Sequence, residues 1–219
     1  VKYDGLKDFT PISLVGTSPL VLVGKPELPA RTAAELLALL KSQPGKFNYA
    51  TSGIGSSLQI GGELVNQAAN VKMVHVPYKV GAQIVTDLAG NQIELAVLPL
   101  TSAREPARAG RIRAFGVMAP KRWSTAPEIP SLSEVPEFKG VEVMVWFGLF
   151  APARTDAAIV ARLAKEMDSV LAEPDIGKRL GDLSLEPSRL TPAQFGTFLQ
   201  REHDKFATVV KTANIKVAG

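Results

Sequence analysis

The feature that most constrains this chain is an alternation of short apolar runs and helical patterns between Phe47 and Met118. Segments 47–51, 71–76, 93–98 and 112–118 read as strands, and 56–69, 81–89 and 102–109 read as helices. The first of these helices carries Ile60, Leu64, Val65 and Ala68 on one face. Strands and helices that alternate on this scale form parallel βαβ units, with helices covering both faces of the sheet. The runs are apolar throughout, which is what strands buried on both faces require.

The flanks point to a second layer of organisation. Leu20-Val-Leu-Val23, ended by Gly24, reads as a buried strand. Thr32-Ala-Ala-Glu35 is a capping box that leads into Leu36, Leu37 and Leu40, and Pro44-Gly45 stops that helix. Residues 119–140, with Pro120, Pro127, Pro130 and Pro136, read as a long loop with a helical turn at Ser131-Leu-Ser-Glu134. The longest apolar stretch, 141–150, follows and is closed by Ala151-Pro152. Two amphipathic helices come next, 156–171 and 192–211, the second opened by the capping box Thr191-Pro-Ala-Gln194. Two apolar strands thus bracket the βα repeat. They predict two crossover strands joining two lobes, residues 24–140 as the second lobe and 1–23 with 141–219 as the first. Hinged two-lobe proteins bind ligands in the cleft between their lobes.

Composition narrows the chemistry. Of 219 residues, 46% are hydrophobic, enough for one sizeable core or two small ones. The net charge of +4 is spread along the chain without a basic stripe, which argues against nucleic acid as a partner. Cysteine is absent, and the two histidines, His75 and His203, lack the spacing of a metal motif, so neither metal nor cofactor is expected. No nucleophile–base pair stands out, so no enzyme is expected. No run approaches the roughly 18 apolar residues of a membrane helix, and no signal-peptide pattern opens this chain. It reads as a soluble protein.

Three segments carry the candidate binding residues. In Tyr49-Ala-Thr-Ser-Gly-Ile-Gly-Ser-Ser57 a strand runs into small and hydroxyl residues and then a helix. Unpaired amides and the helix dipole favour an anion at such a point. Gly53 and Gly55 would let a ligand approach the backbone, and Thr51, Ser52, Ser56 and Ser57 add hydroxyls; the alternative is a plain turn with a serine cap. The segment is neither a dinucleotide fingerprint, since Leu58 stands at the third glycine position, nor a phosphate loop, nor a nucleophile elbow. The second segment, His75-Val-Pro-Tyr-Lys-Val-Gly81, offers Tyr78 and Lys79 to the same edge, or is an ordinary turn with a solvated lysine. His75 reads as strand packing. In the third, Trp146-Phe147-Gly148, an aromatic either floors a cleft or fills the core.

Several of these motifs resemble those of a known family, in the same order. They are Asp4-Gly-Leu-Lys-Asp-Phe-Thr-Pro-Ile12, Tyr49-Ala-Thr-Ser-Gly-Ile-Gly-Ser56, Val76-Pro-Tyr-Lys79, Ala109-Gly-Arg-Ile-Arg-Ala114, Pro127-Glu-Ile-Pro-Ser131 and Trp146-Phe-Gly-Leu-Phe-Ala-Pro152. The chain resembles the Bug family of periplasmic solute-binding proteins, receptors of tripartite tricarboxylate transporters. The resemblance implies an α/β periplasmic-binding-protein-like two-lobe fold, type 2-like, with parallel-dominated sheets. It implies a periplasmic receptor whose partners are a small carboxylate (a dicarboxylate, amino acid or aromatic acid) and the membrane subunits of the transporter. By position, Thr51, Ser52, Gly53, Gly55 and Ser56 match the family's ligand loop in the second lobe, and Tyr78 and Lys79 its next loop. Gln59 replaces a common histidine, Val80 a glycine, and Leu98-Pro99 an Asp-Asn pair, so the usual ligand specificity is not carried over. The chain starts where the family's first lobe is well advanced, which implies an incomplete first lobe and a homodimer through it. The alternative function is an oligomerising fragment or interaction module without a ligand of its own.

Overall fold

The computed structural model describes residues 3–215. Among these, the chain divides into two compact units. One holds the residues up to Ser18 with Trp146–Thr208, the other Pro19–Val145 with the chain from Val209 onward. The unit borders therefore fall inside strands, at 18/19 and 145/146, where the sequence pattern placed them at 23/24 and 140/141. The end of the last helix groups with the βα unit, to which Gln67 Nε2 ties it by donating to Thr212 Oγ1 at 3.3 Å.

The βα unit is built on a mixed sheet. Its strands are the second half of β1 (Phe9–Gly24), β2 (Asn48–Thr51), β3 (Val74–Pro77), β4 (Leu95–Pro99) and β5 (Arg113–Val117), in the order β3-β2-β4-β1-β5. The β2–β3 and β2–β4 pairs are parallel, as the alternation predicted. Residues 20–24 of β1 insert antiparallel between β4 and β5, so the last two strands of the repeat do not touch each other. Leu20, Val21, Leu22 and Val23 are fully buried there, which explains why that run is apolar at every position.

Around the sheet lie α1 (Ala33–Ser42), α2 (Ser57–Ala69), α3 (Gly81–Ala89) and α4 (Leu100–Arg108). Thr32 caps α1 by accepting from the Glu35 amide at 3.2 Å, while Glu35 reaches back to the Arg31 amide at 2.6 Å rather than to Thr32 itself. α2 packs close to β2 because Gly62 faces the Tyr49 ring; a Cβ at that position would fall inside it.

The other unit holds the first half of β1 with β6 (Met144–Pro152) and β7 (Glu186–Pro187), both paired to β1. Its helices are α5 (Ala157–Leu171), α6 (Pro174–Asp182) and α7 (Pro192–Thr212). The Thr191 and Gln194 capping box forms in both directions, at 3.3 and 3.0 Å. Ile12, Ala151 and Val160 form a small buried core here, and beside buried Phe195 stand the half-buried rings of Trp146, Phe150 and Phe198, with centroids 5.1–6.4 Å apart. Gly148 makes room for the Phe195 ring. Most of the large apolar residues left exposed belong here, among them Tyr3, Phe9, Phe147, Ile159 and Leu183.

Candidate functional site

Loop 51–57 leaves the carboxyl end of β2 and enters α2. Two glycines give it its path: Gly53 at φ +134° and Gly55 at φ +77° occupy backbone conformations that side chains disfavour. Ser56 is the N-cap of α2. Its Oγ accepts from the Gln59 amide at 3.3 Å and donates to Gly53 O at 2.8 Å. Its hydroxyl is therefore committed to the cap. Gln59 Oε1 in turn accepts from the Gly55 amide at 2.7 Å. Gln59 thus closes the loop on itself.

What remains for a ligand is a short set of donors. The amides of Ser57 and Leu58, in the first turn of α2, have no intrahelical acceptor. The hydroxyl of Ser52 is exposed and, like that of Ser57, has no partner among the described residues. Thr51 is fully buried and turned inward. Its Oγ1 lies 2.6 Å from His75 Nε2, and the Gly53 amide donates to it at 3.3 Å. His75, expected to be strand packing, therefore has a partner that sequence reading missed.

The second loop is tied to the first by the Tyr78 amide, which donates to Thr51 O at 2.8 Å. The Tyr78 hydroxyl donates to Asp87 Oδ2 on α3 at 2.9 Å, and burial with this bond pushes its pKa up to about 12. Lys79 is exposed. Val80 gives α3 no side-chain cap, so the first-turn amides of Gly81 and Ala82 are also left without an acceptor.

These two loops meet at a cavity of about 480 Å³. Ser52, Leu58, Gly81, Ala82, Leu98 and Pro99 line it together with Ile84, Val85, Thr86, Ser102 and Arg111. It opens at the carboxyl ends of the parallel strands β2 and β4, the end of a βα sheet where ligands bind. Its wall is mostly aliphatic, and Leu98-Pro99 contribute to that. Trp146 and Phe147 lie in the other unit. Trp146 belongs to the aromatic cluster, while Phe147, on the opposite face of β6, is half exposed. Among the described residues no group of His, Asp and Glu is arranged to hold a metal ion.

The comparison that decides the family covers residues 1–215, which match the model described as the tripartite tricarboxylate transporter family receptor, TctC. The chain belongs to this family. It is a family of receptors, not of catalysts.

Among TctC relatives, this chain is 31% identical over 96% of its length to a UPF0065 protein in the tcbD-tcbE intergenic region of Pseudomonas sp. strain P51. It is 28% identical over 99% of its length to the protein BugT of Bordetella pertussis. It spans 62% of the length of the first and 66% of the second. Of solved TctC-like structures, Rpa4515 of Rhodopseudomonas palustris with adipate superposes with a TM-score of 0.87 at 29% identity, covering 97% of this chain and 71% of that one. MatC from the same organism with bound malate gives 0.80 at 28% identity, with 95% and 72% covered. These likenesses bear out the periplasmic-binding-protein-like α/β fold.

Proposed function

We propose that this chain is part of a periplasmic receptor that binds a small organic carboxylate for a tripartite tricarboxylate transporter. The observation that carries the reading is the cavity where the first-turn amides left free at two helix starts, those of α2 beyond its Ser56 cap and of uncapped α3, come together with the Ser52 hydroxyl. Aligned amides at two helix N-termini supply both donors and positive potential to a carboxylate. Loop 51–57 is the anion site in this reading, with Ser52 and Ser57 as hydroxyl donors. Thr51, Gly53, Gly55 and Ser56 hold its shape, Tyr78 anchors the neighbouring loop, and Lys79 adds charge at the rim. The relatives solved with adipate and malate support a carboxylate as the ligand class.

Closure over the bound ligand is what presents such a receptor to the membrane subunits. Isothermal calorimetry against a panel of mono- and dicarboxylates tests the reading. The expected result is saturable binding of at least one acid, lost in Gly53→Val; no binding across the panel counts against it.

One observation favours a second reading, an interaction module that self-associates. Exposed Tyr3, Phe9, Phe147, Ile159 and Leu183 give one unit an apolar surface. Size-exclusion chromatography with light scattering separates the two: a monomer that responds to a carboxylate excludes the second.

A further inference from the structure

Thr51 and His75 stand side by side on β2 and β3. The strand register places Tyr49 opposite His75, and alternation puts Thr51 on the same face as Tyr49. Thr51 Oγ1 lies 2.6 Å from His75 Nε2, 3.3 Å from the Gly53 amide and 3.2 Å from Gly53 O. Being fully buried, this hydroxyl has one proton and two acceptors competing for it, the imidazole nitrogen and Gly53 O.

Whether Nε2 of His75 carries a proton decides the competition. When Nε2 is bare it takes the Thr51 proton, and Gly53 O is left to Ser56 Oγ. When Nε2 carries a proton it donates to Thr51 Oγ1, and the Thr51 proton turns to Gly53 O. A neutral imidazole can adopt either arrangement, according to its tautomer; an imidazolium permits only the second.

We propose that His75 is a positioning residue of the anion loop, acting through Thr51 on Gly53, and that its protonated form tightens the loop's hold on a carboxylate. The inference rests on the reading of loop 51–57 as the anion site. Two titratable groups face His75. Tyr49 of β2 has its ring centroid 5.2 Å away, and Glu63 of α2 is bound by the Tyr49 hydroxyl at 2.6 Å. β3 is the edge of its sheet. Burial lowers the pKa of His75 and Glu63 partly opposes this, so the ring is neutral near pH 7. Acidification through that lowered pKa charges it, directly behind the loop. A bound carboxylate favours that charge, so binding takes up a proton.

The test is calorimetric titration with adipate, malate and benzoate in steps from about pH 8 to about pH 5, a range that continues below the ordinary imidazole value because burial lowers that of His75. Wild-type affinity is expected to rise roughly three- to tenfold on acidification, and that of His75→Gln to stay flat. If Gly53→Val abolishes binding while His75→Gln keeps the wild-type affinity and pH slope, the loop is the site and the role of His75 is overturned. If Gly53→Val binds like wild type, the anion-site reading itself falls. A readout that needs no ligand is the NMR titration of the free protein. The Gly53 amide shift should follow the His75 imidazole in wild type and Thr51→Ser, and cease to follow it in Thr51→Val. A wild-type Gly53 amide that ignores the imidazole overturns the proposal.

Discussion

The side-chain carbonyl of Gln59 accepts the amide proton of Gly55 at 2.7 Å, so the third residue of α2 clasps the loop that precedes the helix. Gly55, at φ +77° and exposed, has no other described bond to hold it. Gln59→Leu keeps the volume and removes the acceptor. Loss of one such bond corresponds to about 1 kcal/mol, or roughly a fivefold weaker affinity for a carboxylate. Calorimetry checks it. A tighter complex would instead mean that Gln59 competes with the ligand for the Gly55 amide.

Close packing of α2 on β2 depends on Gly62, whose missing Cβ leaves room for the buried Tyr49 ring. Gly62→Ala forces the ring or the helix to shift. Overpacking of this kind costs about 1–3 kcal/mol, read as a lower urea midpoint. Because α2 carries the loop's N-cap at one end, the same variant should also weaken carboxylate binding.

Stability should fall on mild acidification, and His75 should be one cause. Unfolded, its imidazole titrates at the ordinary value of 6.5; in the folded protein burial holds it lower. Between those two values the unfolded chain binds the extra proton, so stability present above pH 6.5 is lost as pH drops through the folded pKa. Urea denaturation from about pH 8 to about pH 5 should show a steeper decline in wild type than in His75→Gln. A saturating carboxylate should lessen the decline, since it favours the charged ring.

Much of this architecture was legible because local pattern and tertiary role agree. Leu20 to Val23 is apolar on both faces and lies in the middle of a sheet; Thr191 and Gln194 form the box their spacing announces. The first half of β1 was not legible, because Thr10, Pro11, Gly16 and Thr17 interrupt any periodicity and the strand is held by distant partners such as Pro187 and Glu186. α6 was missed for a similar reason: its two glycines lower helix propensity, and its apolar stripe is only Ile176 and Leu180, neither fully buried. At the site, the glycines and the Ser56 cap could be read from local sequence. The Thr51–His75 contact joins residues 24 apart through a parallel strand pair, and register of that kind is not written in either segment alone.

Tyr78 separates a residue that shapes the site from one that touches the ligand. Its position in the second loop made it a candidate contact, yet its hydroxyl donates to Asp87 and its ring packs against the core beside Val76. Its pKa, pushed up to about 12, fits a proton held by a carboxylate. Tyr78→Phe removes that bond alone. Stability should drop by about 1 kcal/mol, seen in urea denaturation, while carboxylate affinity stays within about twofold, since the amide that ties Tyr78 to Thr51 O is untouched. Unchanged stability with a large loss of affinity would put the hydroxyl on the ligand. The Asp87 bond would then have to break when the site fills.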